Sequence, residues 1–127
     1  MKTKDILLVD DDIMYLHLLS TFLQFEGFDV IAVTDGFKAL EVLRNNKIRM
    51  VITDFDMPEM SGIELAVRVK EQHSGTHVVL VTAGDLTKIV EAAANAGISE
   101  IFSKPIELQR FLTVIRSSLL AGQNLRV

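Results

Sequence analysis

Acidic side chains stand at two places where an apolar segment of this sequence gives way to a polar turn. Asp10–Asp12 follow the apolar run Ile6–Val9, and Asp54 follows Met50–Thr53. The turn after Asp54 contains Pro58, which cannot continue a strand because it has no backbone N–H to donate. An apolar run that stops at such a turn is typical of a buried strand. The pattern therefore predicts carboxylates at the ends of two buried strands.

Thr82 and Lys104 stand at comparable positions, each after a further apolar run. Taken singly, these polar residues have ordinary explanations: a strand-end threonine, a solvated lysine, or, for Asp12, an N-cap of the helix that follows. Asp10 and Asp11 can equally interact with the dipole of that helix. We expect a shared site because all of these groups follow predicted strands.

Carboxylates held close together repel one another unless a positive charge lies among them. Mg²⁺ takes oxygen ligands from carboxylates and carbonyls and keeps its remaining waters, so it is the expected cation, with Mn²⁺ as a substitute. With the charge offset, Asp54 can attack a phosphoryl group and form an aspartyl phosphate. Lys104 would offset charge on the phosphoryl oxygens, and the Thr82 hydroxyl would donate a hydrogen bond to one of them.

The rest of the chain alternates apolar runs with segments of helical periodicity, which predicts five strand–helix pairs. Gly27 and Gly97 are typical helix stops, and Asp85 can cap a helix start. The predicted strands are Ile6–Val9, Val30–Val33, Met50–Thr53, His77–Val81 and Ile98–Ser103. The predicted helices include Ile13–Phe25, Gly62–Gln72 and Ile106–Leu120.

Strands made almost entirely of Val, Ile and Leu are typical of a parallel sheet covered on both faces. Right-handed crossovers leave few arrangements of such a sheet. The best fit is an α/β fold with a doubly wound, five-stranded parallel sheet of the flavodoxin-like (βα)5 type, in strand order 2-1-3-4-5. Neighbouring strands lie about 4.8 Å apart, so the polar groups at their carboxyl ends should converge on one crevice at the switch point.

The composition is that of one ordinary domain, and we expect residues 1–127 to form a single unit with a core of about residues 4–120 and a short C-terminal tail. The net charge of −4 gives no support for direct binding of nucleic acid. The absence of cysteine excludes disulfides and thiolate metal sites. No apolar run approaches the roughly 18 residues of a membrane span, and there is no signal-peptide segment, so we expect a cytoplasmic protein without membrane contact.

Four motifs carry a resemblance to a known family: VDDD at residues 9–12, TDFDMPEMSG at 53–62, VTA at 81–83 and SKP at 103–105. Their order and spacing resemble the signature of response-regulator receiver domains over nearly the whole chain. The resemblance implies a phosphorylation-dependent switch of two-component signalling. In such a switch Asp54 accepts a phosphoryl group from a phosphohistidine on a sensor kinase or phosphotransfer protein.

The resemblance also implies roles for the residues around Asp54. It implies Mg²⁺ held by Asp11, Asp54 and the backbone carbonyl of Asp56, with Asp10 acting mainly through bound water. It assigns Thr82 and Lys104 to the phosphoryl oxygens. It further implies a protein that catalyses only its own phosphoryl transfer and dephosphorylation, and an output partner at the face of helix 4, strand 5 and helix 5.

Ile101 departs from the family pattern, because receivers usually carry Tyr or Phe three residues before the lysine. The usual switch couples movement of the threonine, here Thr82, to rotation of that ring, and Ile101 has no ring to rotate. Phe102 should point to the opposite face of its strand and is predicted to lie in the core. Asp56 and Gly84 occupy flanking positions that influence the lifetime of the phosphoryl group in such domains.

Two other functions remain open at this point. The pattern of Asp54, Asp56, Thr82 and Lys104 is also similar to that of haloacid-dehalogenase-like phosphohydrolases, although Pro58 stands where those enzymes usually have Thr or Val. A receiver-like scaffold that acts without phosphorylation is the second alternative. The full acidic set argues against it, and the missing aromatic residue at Ile101 keeps it open.

Overall fold

The computed structural model describes residues 2–124, with side chains through residue 120, and in that range five strands alternate with five helices. The strands are β1 (Lys2–Val9), β2 (Val30–Val33), β3 (Asn46–Asp54), β4 (His77–Thr82) and β5 (Glu100–Ser103). The helices are α1 (Ile13–Phe25), α2 (Gly36–Asn45), α3 (Gly62–Gln72), α4 (Leu86–Asn95) and α5 (Leu108–Asn124). No helix among these residues is long and apolar enough to span a membrane.

The strands form one parallel sheet in the order β2-β1-β3-β4-β5, which confirms the predicted fold class and strand order. The register brings the carboxyl ends of the strands to one edge. Val9 pairs with Thr53, Asp54 with Val81, and Thr82 with Ser103. Residues that follow β1, β3, β4 and β5 therefore start from adjacent points of the sheet.

Both faces of the sheet are buried, as the apolar strands predict. Ile6 and Leu8 of β1 belong to a core shared with α1 and α5, whereas Leu7 and Val9 belong to the core on the α2 and α3 side. Phe102 is 3% exposed and contacts Phe111 edge-on with ring centroids 5.0 Å apart, so its predicted place in the core is confirmed. The rigid sheet gives the groups at its edge a fixed spacing.

β1 begins at Lys2 rather than Ile6, and the starts of two further strands also differ from the prediction. β3 begins at Asn46 rather than Met50, because its polar first residues pair with Lys2–Lys4 at the start of β1. β5 begins at Glu100 rather than Ile98, because the Ile98 N–H instead donates to the Ala93 carbonyl and closes the end of α4. Both differences arise from backbone hydrogen bonds that leave no mark in the apolar pattern.

The last helix is also displaced from its predicted limits of Ile106 and Leu120. It begins at Leu108, because the Glu107 carboxylate accepts hydrogen bonds from the N–H groups of Gln109 and Arg110 and so caps the first turn. It continues to Asn124, which is a correction to the predicted tail after Leu120. The remainder of that tail, residues 125–127, lies outside the described residues.

Candidate functional site

Three carboxylates meet at the carboxyl edge of the central strands. Asp54 is the last residue of β3 and is 9% exposed, whereas Asp10, directly after β1, is 3% exposed. Asp11 follows it with an exposed side chain. One carboxylate oxygen from each of the three lies within 4.8 Å of the others, as the predicted strand order requires.

Lys104 enters this group from the loop after β5. Its Nζ lies 3.0 Å from Asp10 Oδ2 and 3.2 Å from Asp54 Oδ1, so one ammonium bridges the two buried carboxylates. The Lys104 backbone N–H donates to the Thr82 carbonyl at 2.8 Å, which ties the loop to the end of β4. The structure therefore brings Asp10, Asp54 and Lys104 together as predicted.

The charges of the site act unequally on its members. Burial raises the pKa of the Asp54 carboxyl, and the neighbouring Asp10 charge raises it further, against the opposing effect of Lys104. Burial alone would lower the pKa of Lys104, but its hydrogen bond to Asp10 and the two carboxylate charges outweigh this, so that pKa is raised. The site therefore favours the charged form of Lys104 and disfavours the charged form of Asp54.

Thr82 ends β4 next to the Asp54 pairing and is 1% exposed. Its Oγ1 accepts a hydrogen bond of 2.9 Å from the Gly84 N–H, which orients the hydroxyl. Since that bond uses an oxygen lone pair, the hydroxyl hydrogen is left to donate elsewhere. This is compatible with the donor role expected for Thr82.

The turn after β3 holds Asp56 apart from the three carboxylates. Its side chain is exposed, and among the described residues the acidic group comprises Asp10, Asp11 and Asp54. The turn itself is held by the Phe55 N–H, which donates to the Val81 carbonyl, and by the Phe55 carbonyl, which accepts from the Gly62 N–H. The side chain of Asp56 is thus outside the acidic group, and the resemblance predicts only its backbone carbonyl as a ligand.

Asp12 is an N-cap and lies outside the acidic group, as its position before a helix predicts. Its Oδ1 accepts a hydrogen bond of 3.2 Å from the Tyr15 N–H, and its own N–H donates to Asp10 Oδ1 at 2.9 Å. The three consecutive aspartates therefore have different tasks: Asp10 and Asp11 join the cluster, and Asp12 fixes the start of α1.

Tyr15 is a member of the site that sequence reasoning missed. The Lys104 Nζ lies 4.3 Å from the centroid of its ring, which is within the range of a cation–π contact. Burial raises the pKa of the Tyr15 phenol, so the ring faces the ammonium as a neutral group. The available signal was its place three residues after the N-cap, in the turn of α1 nearest the sheet edge.

Ile101 packs on a different core from Tyr15. It is half-buried and packs on the small core of Leu80, Ile89 and Ala93, between the sheet and α4. It therefore joins β5 to α4 through an aliphatic contact where an aromatic ring was expected from the family pattern.

The chain was compared with known proteins and structures. Residues 6–116 match the response regulator receiver domain family. The chain is 32% identical over 118 residues to the transcriptional regulatory protein GlrR of Escherichia coli, covering 93% of this chain but 27% of GlrR. It is 29% identical to the polar-differentiation response regulator DivK of Brucella ovis, covering 92% of this chain and 97% of DivK. A CheY-like receiver domain from Methanospirillum hungatei superposes with a TM-score of 0.90 at 26% identity, covering 98% of both chains.

Proposed function

This chain belongs to the response regulator receiver domain family and is a signalling switch of the two-component type, and on that basis we propose that Asp54 is its phosphoacceptor. The observation that carries the proposal is the position of this one carboxylate. Asp54 lies at a strand end with oxygens of Asp10 and Asp11 within 4.8 Å, and the Lys104 ammonium is 3.2 Å from its Oδ1. A carboxylate so placed is a nucleophile with a cation beside the charge that develops during transfer.

The transfer proceeds by attack of an Asp54 carboxylate oxygen on phosphorus. The new oxygen–phosphorus bond forms as the bond between phosphorus and the donor nitrogen of a phosphohistidine breaks, and the electron pair of that bond stays on the nitrogen. The histidine leaves as neutral imidazole because its other ring nitrogen already carries a proton. Lys104 pairs with a phosphoryl oxygen, and the Thr82 hydroxyl donates a hydrogen bond to another. Phosphoryl transfer depends on positioning and on stabilisation of negative charge. The Lys104 ammonium and the Thr82 hydroxyl supply both to the phosphoryl group.

The donor set also fits a hard divalent cation. Three carboxylates have oxygens within 4.8 Å of one another, and one lysine bridges two of them, so negative charge remains in excess in this group. The carboxylate oxygens are ligands of the kind that Mg²⁺ or Mn²⁺ takes. We assign the ligands to Asp11, Asp54 and the Asp56 backbone carbonyl, with Asp10 acting through water. When bound, the cation supplies positive charge opposite the phosphoryl oxygens.

The rest of the proposal concerns the whole protein. Residues 1–127 act as one receiver unit that catalyses only its own phosphoryl transfer and dephosphorylation. The donor is a sensor kinase or phosphotransfer protein, and the output partner binds the face formed by α4, β5 and α5, which responds through Thr82 and Ile101. The chain spans about a quarter of GlrR, at 27% of its length, so these partners are inferred from the receiver alone. A cytoplasmic location remains a prediction.

Direct chemical labelling tests the phosphoacceptor. We expect the protein, incubated with Mg²⁺ and acetyl phosphate, to gain the mass of one phosphoryl group and to gain none when EDTA removes the cation. Borohydride reduces an acyl phosphate to an alcohol, so peptide mapping after reduction should find the altered residue at position 54. A label at any other carboxylate, or no gain of mass, would overturn the assignment.

Binding of Mg²⁺ should also stabilise the fold, because the cation relieves repulsion among the three carboxylates. At about ten times its Kd, a ligand of the folded state adds about 1.4 kcal/mol to the free energy of unfolding. We expect thermal unfolding to show this gain on addition of Mg²⁺ to the wild type. Asp11→Asn should show little of it.

Asp12→Asn is the matched control for the magnesium experiment. It removes the same charge from the neighbouring residue, and asparagine caps a helix about as well as aspartate. Because Asp12 caps α1 outside the acidic group, this variant should keep the full response to Mg²⁺. Equal responses of the two variants would contradict a ligand role for Asp11.

A further inference from the structure

We propose that Tyr15 is a positioning residue of this site: its ring holds the Lys104 ammonium between Asp10 and Asp54. The ring centroid lies 4.3 Å from Nζ. The two other cation–ring contacts among the described residues are longer, at 5.1 Å for Arg110 on Phe102 and 5.7 Å for Arg116 on Phe28. This inference rests on the proposed phosphoryl transfer to Asp54 and adds a residue to it.

The place of the Tyr15 ring is set by the same residues that build the site. Asp10 accepts a hydrogen bond from the Asp12 N–H, and Asp12 in turn accepts one from the Tyr15 N–H. The ring then reaches Lys104, whose ammonium returns to Asp10 at 3.0 Å. Asp10, Asp12, Tyr15 and Lys104 thus form a closed circuit of contacts, in which the cap of α1 fixes the backbone from which the Tyr15 ring extends.

A neutral ring is well suited to hold this ammonium. Lysine carries its charge on a flexible four-carbon stem, and the Lys104 side chain is 21% exposed, so two carboxylates alone leave it a path towards solvent. The Tyr15 ring is half-buried against the core of α1 and α5 and contacts the ammonium as a third group beside the two carboxylates. It attracts the cation without adding a negative charge that an arriving phosphoryl group would have to overcome.

Rates of labelling by acetyl phosphate at saturating Mg²⁺ test the proposal. Tyr15→Leu removes the ring and should slow labelling by about three- to tenfold, the size of one partly desolvated cation–π contact. Tyr15→Phe keeps the ring and should restore the rate to within about twofold of wild type. Phe28→Leu is the matched control, because it removes a ring beside an arginine on the same core but away from the site, and it should leave the rate unchanged.

A second readout follows from composition, because the chain has one tyrosine and no tryptophan. Tyrosine emission therefore reports on Tyr15 alone. It should change in Lys104→Met and stay as in wild type in Lys38→Met, which removes an exposed lysine of α2. This readout tests the contact between the Tyr15 ring and the Lys104 ammonium even if Tyr15→Leu does not fold.

The outcomes separate this inference from the proposed function. If the wild type gains no phosphoryl group, the proposed function fails and the role of Tyr15 fails with it. If the wild type is labelled but Tyr15→Leu is labelled equally fast, or if Lys104→Met leaves the emission unchanged, the role of Tyr15 alone is overturned. If Tyr15→Phe is labelled as slowly as Tyr15→Leu, the role of the ring is also overturned, because the hydroxyl would then be the group that affects the labelling rate.

Discussion

Asp54→Asn is expected to abolish phosphoryl labelling by acetyl phosphate and Mg²⁺. The amide has nearly the shape of the carboxylate, so the end of β3 should keep its packing, but an amide oxygen is not a nucleophile of comparable strength. Asp10 remains to hold Lys104 at 3.0 Å, which limits the rearrangement to the substituted group. Intact-mass measurement over a time course should show no gain for this variant.

Asp56→Asn is the matched control for Asp54→Asn, because it removes an exposed carboxylate two residues along the same turn. It should still be labelled, although the hydrolysis rate of the phosphoryl group can differ. Labelling of Asp54→Asn at the wild-type rate would show that another carboxylate accepts the group, and Asp10 would be the first to examine.

Asp54→Asn should also change the stability of the protein in the absence of divalent cations. Burial and the Asp10 charge raise the pKa of Asp54, so its charged form is less favourable in the folded state than in the unfolded chain. The wild type should therefore lose stability as the pH rises through that raised pKa, whereas Asp54→Asn has no such group to ionise. We expect the variant to be at least as stable as wild type at neutral pH, with the difference shrinking at acid pH. Chemical denaturation in EDTA at several pH values measures this.

The strand order and the meeting of the acidic residues follow from the sequence because each depends on a strong pattern. Val, Ile and Leu fill the strands, and polar residues start where the apolar runs stop. Once the order places β1 beside β3, Asp10 and Asp54 must come close, since their strand neighbours Val9 and Thr53 are paired. The order also brings the end of β5 to the same edge, but β5 pairs with β4 alone, so the contact of Lys104 with both carboxylates depends on the loop after β5.

The limits of elements are less predictable, because hydrogen bonds set them rather than hydrophobicity. The start of β3 at Asn46 depends on pairing with the equally polar start of β1. The start of α5 depends on the Glu107 cap, and glutamate is not among the residues typically found at an N-cap. The start of β1 and the Glu107 carboxylate can be identified as these hydrogen-bond partners only when the sheet and the helix are already in place.

Tyr15 illustrates what a linear pattern cannot provide within the site itself. Its periodicity assigns it to α1, and its side chain is partly buried against the core. Whether its ring also meets Lys104 depends on the rotation of α1 about its axis and on the path of the loop after β5. Both are tertiary features, whereas the carboxylates were detectable because each directly follows its own strand.

Gly62→Ala is expected to cause the largest loss of stability of any variant considered. Gly62 is the first residue of α3, and a Cβ there would meet the carbonyl oxygen of Asp54 well inside contact distance and lie 2.9 Å from Leu80 Cδ1. Backbone cannot yield as a flexible side chain can, so α3 or the end of β3 must move. Overpacking of this kind costs about 3 kcal/mol, which corresponds to a fall in Tm of roughly 10 °C for a domain of this size.

Gly75→Ala is the matched control, because a Cβ at that position would meet nothing within 4 Å. It should leave Tm unchanged or raise it slightly, since alanine reduces the freedom of the unfolded chain. Gly62→Ala should also slow labelling of Asp54 in the fraction that remains folded, because the Gly62 N–H holds the turn after β3 through the Phe55 carbonyl. An unchanged Tm would mean that α3 can retreat from the sheet at no cost. The position of the Asp54 backbone would then depend on β1 and β4 alone.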